Sequence, residues 1–206
     1  MTPLPRPPVP LDPMLSSERP ESINASDWIL EVKFDGYRVM AHFGDGNCEL
    51  RTRNYANATR WFPEIADPLS SMEGGPFIVD GVMCIFDAQG RSDNGALLDR
   101  SRRRRSCDDA PLATYVVFDI LAVEDDVLVG LPLGERKARL SSVLARPLPN
   151  IQLAGYAGHQ RDLLARWPAH WHKPESLVAK RVDSVYVPGK RSLDWVRMHI
   201  TAPAHP

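Results

Sequence analysis

The sequence predicts an α+β fold, in which antiparallel strands alternate with helices in one compact domain. Alternating residues on both sides of Asp35-Gly36 indicate the two strands of a hairpin. Apolar residues at helical spacing, as in Leu133–Leu144, lie between later strand-like runs. The chain has 206 residues, of which 43% are hydrophobic, so it can bury a substantial core. This mixture of elements is typical of the α+β class.

Each predicted strand is a short run rich in apolar and β-branched residues, bounded by turn signals. Turns are expected at Gly44–Asn47 and Asp87–Gly90. Within Tyr37–Phe43, alternation places Val39 and Phe43 on one face and Arg38 on the other. The predicted strands are Trp28–Lys33, Tyr37–Phe43, Cys48–Thr52, Phe77–Phe86, Thr114–Leu121, Val178–Arg181 and Asp194–Ile200.

Each predicted helix shows apolar residues at a helical period. In the last one, Leu163, Trp167 and Trp171 have the spacing of a core-facing stripe. The first is expected to be interrupted near Pro63 and Pro68, because proline lacks a backbone donor. The predicted helices are Ala58–Met72, Asn94–Arg105, Leu133–Leu144 and His159–Trp171.

Residues 1–20 form a proline-rich leader that we expect to be extended, because its proline density forbids a regular helix. Two interpretations remain open for it. It is either a flexible leader or a strap across the domain, with Leu11, Met14 and Leu15 as anchors. We expect the domain itself to cover residues 21–199, with 200–206 as a tail.

Net charge and cysteine content restrict the cellular setting. The net charge of −1 provides no global positive field, so any polyanion site must come from local clusters of basic residues. Cys48, Cys84 and Cys107 are widely spaced, which favours reduced thiols over a disulfide framework or a metal site. No run is long and apolar enough for a membrane span or a signal core. We therefore expect a cytoplasmic protein without a membrane partner.

The most informative motif is Lys33-Phe34-Asp35-Gly36-Tyr37-Arg38, which resembles the nucleotide-binding motif of covalent nucleotidyltransferases. Further blocks, in the same order along residues 11–199, resemble ATP-dependent DNA ligases, especially bacterial ligases of the end-joining type. These blocks include Pro13–Leu15, Glu31–Arg38, Arg53-Asn54, Val79–Gly81, Val117–Leu121, Leu131–Leu133, Glu135–Lys137, Leu177–Arg181, Tyr186–Ser192 and Trp195-Val196.

The resemblance implies a nucleotidyltransferase domain with two antiparallel sheets, flanked by helices, around a nucleotide cleft. It implies that ATP and Mg²⁺ are the cofactors and that Lys33 is catalytic. Lys33 would attack the α-phosphate of ATP and form lysyl-AMP, for transfer to a DNA 5′-phosphate in repair or recombination. The implied partner is nicked or broken DNA.

The same resemblance implies which part of the substrate each of the other site residues would contact. Glu31 would accept a hydrogen bond from adenine, Phe118 would stack on adenine, and Arg38 would contact the ribose. Lys180 and Arg197 would contact phosphate, Arg53 would contact phosphate or the ribose on its DNA-facing side, and Glu175 would help to hold the metal ion. For Phe118, an ordinary place in the core remains an alternative.

Elementary chemistry agrees with these implied roles. An amine attacks phosphorus only when it is deprotonated, so Lys33 must be neutral at the moment of attack. Glu31 and Lys33 are two residues apart on a predicted strand and therefore point to the same side.

Three departures from the family pattern involve four positions. Val82 stands where the family has glutamate, and valine cannot accept a hydrogen bond from a ribose hydroxyl. Arg197 and His199 stand where the family has two lysines, and histidine is only partly charged at neutral pH. Ser176 replaces a glycine. We expect these changes to weaken the grip on phosphate.

Arg102, Arg103, Arg104 and Arg105 are the main basic run. They form either a solvated helix end, as such runs usually do, or a patch that contacts DNA phosphates.

Residues 200–206 are too few to build the OB-fold that follows this domain in family ligases. Two sources remain open for strand sealing: an OB-fold or repair protein in trans, or a longer gene product. Two alternatives to an active ligase domain remain. One is a degenerate, non-catalytic nucleotide- or DNA-binding protein of the same fold, and the other is an RNA-end or cap-forming transferase.

Overall fold

The computed structural model describes residues 7, 12–18, 26–105 and 109–200. Its strands are β1 (Leu15–Ser17), β2 (Trp28–Val32), β3 (Tyr37–Gly44), β4 (Asn47–Thr52), β5 (Phe77–Ile85), β6 (Ala113–Val123), β7 (Asp126–Val127), β8 (Ile151–Leu153), β9 (Tyr156–Ala157), β10 (Ser176–Arg181) and β11 (Arg191–His199). Its helices are α1 (Pro63–Ser70), α2 (Asn94–Arg103), α3 (Leu133–Val143) and α4 (Gln160–Ala165), with a 3-10 turn at Thr59–Trp61.

Within the described ranges, the strands form two sheets, which confirms the predicted α+β class. Sheet A has the order β1-β11-β10-β2-β9. Sheet B has the order β4-β3-β5-β6-β7, with β8 added beside β6. Most neighbouring strands are antiparallel, whereas β1 with β11 and β8 with β6 are parallel. β1, which comes from the leader, is therefore an edge strand of sheet A, and the late strand β11 lies beside it.

Apolar side chains fill three layers. The inter-sheet core lies between the sheets and contains Met40, Phe118 and Trp195. A second cluster packs α1 and α3 behind sheet B, around Phe62 and Leu140. A third cluster covers the outer side of sheet A. The alternation predicted for β3 is confirmed, because Val39, Ala41 and Phe43 join the second cluster while Met40 joins the inter-sheet core.

Several helix predictions were wrong in extent. The helix expected over His159–Trp171 stops at Ala165, and Pro168 lies just beyond its end, where it could not donate a helical hydrogen bond. The helix expected over Ala58–Met72 is split, with Pro63 starting α1 after the 3-10 turn. The helix expected over Asn94–Arg105 ends at Arg103, because Arg104 adopts the left-handed conformation with φ 55°.

Part of the leader belongs to sheet A. Leu15 lies beside Arg191 and Ser16 beside Ser192 in the β1–β11 pairing. The backbone N–H of Met14 donates to the Tyr186 hydroxyl over 2.9 Å, and the Met14 side chain is fully buried. Leu11, Cys107 and residues 201–206 lie outside the described residues. Met14 and Leu15 thus act as anchors, as the strap interpretation expects.

No helix in the described part of the chain is both long and apolar enough to cross a bilayer.

A buried ion pair joins sheet B to the segments on its flank. The Arg136 guanidinium donates to both Asp119 oxygens, over 2.8 and 2.9 Å, and both side chains are inaccessible to solvent. Arg136 also donates to the carbonyl oxygens of Leu131 and Ser184. One side chain therefore links β6, the segment before α3 and the loop after β10.

Replacement of Arg136 by methionine should lower the free energy of unfolding by about 3–5 kcal/mol, because Asp119 would remain buried without its counter-charge. Urea denaturation measures this loss. The double variant Arg136→Met/Asp119→Leu is the matched control and should recover part of it, since the isolated charge is then removed. Single variants as stable as the parent would contradict this role for the pair.

Candidate active site

Two adjoining cavities meet at Lys33. The first, the Glu31 cavity, encloses about 200 Å³. The second, the Glu175 cavity, encloses about 240 Å³. Both are lined by Val32, Lys33 and Phe34, and together they fall in the range of small-molecule sites. Of the predicted site residues, the Glu31 cavity includes Glu31, Arg38, Phe118 and Lys180, and the Glu175 cavity includes Glu175 and Arg197.

Lys33 follows β2 directly, at the start of the turn that leads to β3. Its backbone N–H donates to the Ser176 carbonyl over 2.9 Å, which holds the turn against β10. Its Nζ donates to Asp35 Oδ1 over 2.9 Å, and about a third of the side chain is exposed. A Cβ on Gly36 would lie 2.2 Å from the Met83 carbonyl oxygen, so only glycine allows this turn to approach β5 so closely. Lys33 is therefore presented to both cavities by a tightly packed turn.

Glu31 lies in a buried cluster of charges. Its Oε1 is paired with Lys137 Nζ, and its Oε2 lies 2.8 Å from Lys180 Nζ. Burial alone would raise the pKa of Glu31, but the two ammonium groups lower it below its ordinary value. Burial also lowers the pKa of Lys180 to about 8, against the opposing attraction of Glu31. Glu31 is thus held as an ionised acceptor, and Lys180 is a cation that loses its charge near pH 8.

Phe118 lines the Glu31 cavity and also belongs to the inter-sheet core. Its ring is 7% exposed and makes an edge-to-face contact with Trp195 at 6.0 Å. Lys180 Nζ lies 3.9 Å from the centre of the Phe118 ring, and Arg38 Cζ lies 4.5 Å from it. The ring therefore has the ordinary place in the core, and it also forms part of the cavity wall, while stacking on adenine stays a prediction.

Arg38 is fixed by a buried network between the two sheets. Its Nε and Nη2 donate to the two Asp80 oxygens over 2.5 and 2.7 Å, and Nη2 also donates to the Met14 carbonyl. The Tyr186 hydroxyl donates to Asp80 Oδ2 over 2.6 Å. Burial opposes the charge of Arg38, but Asp80 raises the pKa of Arg38 above its ordinary value. Arg38 therefore enters the cavity as a permanent, oriented cation.

Glu175 and Arg197 lie across the second cavity. Glu175 is exposed just before β10, and its carbonyl accepts the Ile200 N–H over 3.1 Å. Arg197 lies opposite Val178 on β11 and is half-buried. Asp35 also lines this cavity. Among the described residues, no three His, Cys, Asp or Glu side chains form a ready-made metal site. Any metal ion here would have one or two carboxylates from the chain.

Some predicted residues lie apart from the cavities. Arg53 is exposed, and in the described structure it lines neither cavity, although its N–H donates to the Arg38 carbonyl over 3.1 Å. His199 is exposed at the end of β11 and is likewise absent from both described linings. Arg102, Arg103, Arg104 and Arg105 are exposed at the end of α2. Arg103 lies 3.7 Å from Asp99, and Arg104 borders a separate surface hollow beside Arg60.

Sequence reasoning missed Lys137, Asp80 and Tyr186. Lys137 was only part of a family block, but a signal existed. On α3 the buried residues Leu133, Arg136, Lys137 and Leu140 have the spacing of a core-facing stripe. Charged residues at core positions of an amphipathic helix indicate buried ionic partners. Asp80 carried the comparable signal of an acid within an apolar strand.

Known proteins from several bacteria are similar in sequence to this chain. The chain is 30% identical to a "Probable DNA ligase" of Streptomyces coelicolor, over 82% of this chain and 34% of that protein. It is 33% identical to the "Multifunctional non-homologous end joining protein LigD" of Pseudomonas aeruginosa, over 84% of this chain and 20% of that protein. It is 31% identical to the "SPbeta prophage-derived DNA ligase-like protein LigB" of Bacillus subtilis, over 91% of this chain and 67% of that protein. The chain therefore spans about a third of the first relative's length and a fifth of the second's.

Solved structures confirm the nucleotidyltransferase fold. A mycobacterial DNA ligase D complexed with ATP and MES superposes with a TM-score of 0.72 at 24% identity, covering 91% of this chain and 59% of that one. The ATP-dependent DNA ligase from bacteriophage T7, in complex with ATP, gives a TM-score of 0.61 at 18% identity, covering 92% and 68%. The resemblance seen in the motifs is confirmed as well, since a family model covers residues 13–199, and the chain belongs to the ATP dependent DNA ligase domain family.

Proposed function

We propose that the two cavities bind ATP with Mg²⁺ and that Lys33 becomes covalently adenylated. The observation that carries this proposal is the position of Lys33 between two chemically different cavities. On one side are a carboxylate and an aromatic ring suited to adenine, Glu31 and Phe118. On the other are the charged groups Glu175 and Arg197, suited to a metal-bound polyphosphate. A nucleotide that spans both cavities places its α-phosphate beside Lys33.

The proposed reaction is a transfer of adenylate in two steps. The neutral amine of Lys33 attacks the α-phosphorus, the P–N bond forms, the bond to the bridging oxygen breaks, and pyrophosphate leaves. The proton lost from Lys33 passes to solvent. A DNA 5′-phosphate oxygen then attacks the same phosphorus, and the amine leaves and regains a proton. Lys33 must lose a proton before the first step, because a protonated amine has no free electron pair.

The remaining residues would bind and orient the nucleotide. Glu31, kept ionised by Lys137 and Lys180, would accept from the adenine amino group. Arg38, immobilised by Asp80, would contact the ribose. Lys180 and Arg197 would supply positive charge to the phosphates. Rigid placement of these charges reduces the reorganisation needed in the transition state.

The carboxylates present fit Mg²⁺ that arrives with ATP. Magnesium is commonly held by one or two carboxylates together with substrate phosphates and water. Glu175 and Asp35 line the Glu175 cavity and offer such a donor set. When bound, the ion would neutralise charge on the phosphates and the leaving pyrophosphate.

We further propose that the acceptor is nicked or broken DNA in repair, as the names of the relatives suggest. Arg53 and the exposed run Arg102–Arg105 would then contact the DNA backbone outside the cavities. The adenylation domain would comprise residues 21–199, and an OB-fold would close over the site for strand sealing. The alternative of a non-catalytic binding protein is not favoured, because the matched relatives are named ligases.

Incubation with ATP labelled at the α-phosphate, with Mg²⁺, should leave covalent label on the chain after denaturing electrophoresis. Lys33→Ala should abolish the label, since among the described residues no other lysine lines both cavities. Lys190→Ala, which removes an exposed lysine outside both cavities, is the matched control and should keep it. Equal labelling of Lys33→Ala and the parent would refute the proposal.

Val82→Glu should tighten ATP binding about tenfold or more, because a charge-assisted hydrogen bond is worth roughly 1.5–3 kcal/mol. Val82 lines the Glu31 cavity and lies opposite Arg38 in the β3–β5 pairing, so a carboxylate there can reach the ribose region. Calorimetry measures the affinity. Val82→Gln has the same length without the charge and should gain less. An unchanged affinity in a folded Val82→Glu variant would mean that ATP does not lie in the proposed pose.

A further inference from the structure

An aromatic cluster borders the Glu175 cavity and has no role in the proposed adenylation. Its rings are Phe34, Phe86, Trp167 and Trp171, with neighbouring centroids 5.1–5.9 Å apart. These separations are those of favourable aromatic pairs. Phe34, Phe86 and Trp167 line the cavity directly, and Trp171 supports them from behind. We call these rings the aromatic wall.

The segment after α4 is anchored so that the wall keeps its position. The His172 N–H donates to the Gln89 carbonyl over 2.6 Å, and Trp167 Nε1 donates to the His172 carbonyl over 3.0 Å. The Trp171 ring packs against Gly90, where an added Cβ would lie 2.3 Å from ring atoms. Gly90 also has φ 72°, which favours glycine. The turn after β5 is thus shaped to receive Trp171.

Four cationic side chains share the cavity that the aromatic wall borders. Lys33, Arg91, Lys173 and Arg197 all line the same cavity. Trp167 is only half-buried, so part of its ring remains available to a ligand. Aromatic faces beside cations are the elements that bind single-stranded nucleic acid, since bases stack on rings and phosphates pair with cations.

We propose that the aromatic wall stacks on the terminal nucleobase of a 5′-phosphorylated DNA strand whose phosphate lies among these cations. The inference rests on the proposed function. In the second transfer step, an oxygen of the 5′-phosphate must reach the phosphorus carried by Lys33. The terminal nucleotide therefore lies within one nucleotide's length of Lys33, and the aromatic wall is the ring surface that shares the Glu175 cavity with that lysine. The base of ATP occupies the other cavity.

The test is the binding of a 3′-fluorescein-labelled, 5′-phosphorylated single-stranded oligonucleotide to the full chain, followed by anisotropy without ATP or Mg²⁺. An oligonucleotide that is abasic at its 5′-terminal position should bind about fivefold to a hundredfold more weakly, which is the value of one stacked base. This comparison uses the unaltered protein and does not depend on whether a variant folds. Equal affinity for the two oligonucleotides would overturn the proposal.

Variants of Trp167 identify the ring responsible. Trp167→Ala should weaken binding of the intact oligonucleotide and leave binding of the abasic one unchanged, whereas Trp167→Phe should retain most of the difference. Leu112→Ala removes an exposed apolar side chain outside both cavities and should have no effect. An equal loss with both oligonucleotides in Trp167→Ala would mean that the wall does not read the base, and would overturn the proposal.

A competition experiment separates this site from the nucleotide site. Saturating adenosine should leave the preference for the intact oligonucleotide unchanged, because adenosine is expected in the Glu31 cavity. Loss of the preference would assign the wall to the adenine of ATP and overturn the proposal. The binding assays require no covalent step, so failure of Lys33 to accept AMP would be recognised separately from failure of the wall to bind DNA.

Discussion

The structure depends above all on the buried carboxylate of Asp80. It lies on β5 in sheet B and is inaccessible to solvent, so it must remain paired within the protein. Arg38 and Tyr186 satisfy it, and both also hold Met14 of the leader, through its carbonyl and its N–H. One charge thereby fixes β3, β5, the loop after β10 and the start of sheet A. The separation of the two sheets, and hence the cleft between them, follows from this network.

The charge distribution within the cleft explains how a chain with net charge −1 can offer a polyanion site. Glu31, which lines one cavity, forms ion pairs with Lys137 and Lys180. Arg197, Lys173 and Lys33 line the other cavity. Removal of water strengthens such interactions, because the local dielectric constant is low. A cluster of basic side chains in the cleft is therefore compatible with a net charge of −1.

Local alternation in the sequence predicted the principal strands. The resemblance to nucleotidyltransferases predicted the grouping of Glu31, Lys33, Arg38, Phe118 and Lys180, all of which line one cavity. It did not predict β1, β8 or β9, which have two or three residues each and exist only through pairing with distant strands. The prediction of a helix that continues to Trp171 was wrong for a similar reason. The spacing of Trp167 and Trp171 is helical, but their rings meet Phe34 and Phe86 across the fold, and Pro168 interrupts the helix between them. Lys137 was missed because its partner Glu31 lies far away in sequence.

In the proposed reaction, Lys33 is the lysine that lies at the α-phosphate of ATP, because it stands at the junction of the two cavities. The most direct measurement is proteolysis of the ATP-treated protein at neutral or alkaline pH, where a phosphoramidate survives, followed by mass spectrometry of the peptides. One adenylate group is expected on the peptide that contains Lys33. Adenylate on Lys180 or Lys173 instead, or on no peptide at all after exposure to ATP and Mg²⁺, would contradict it.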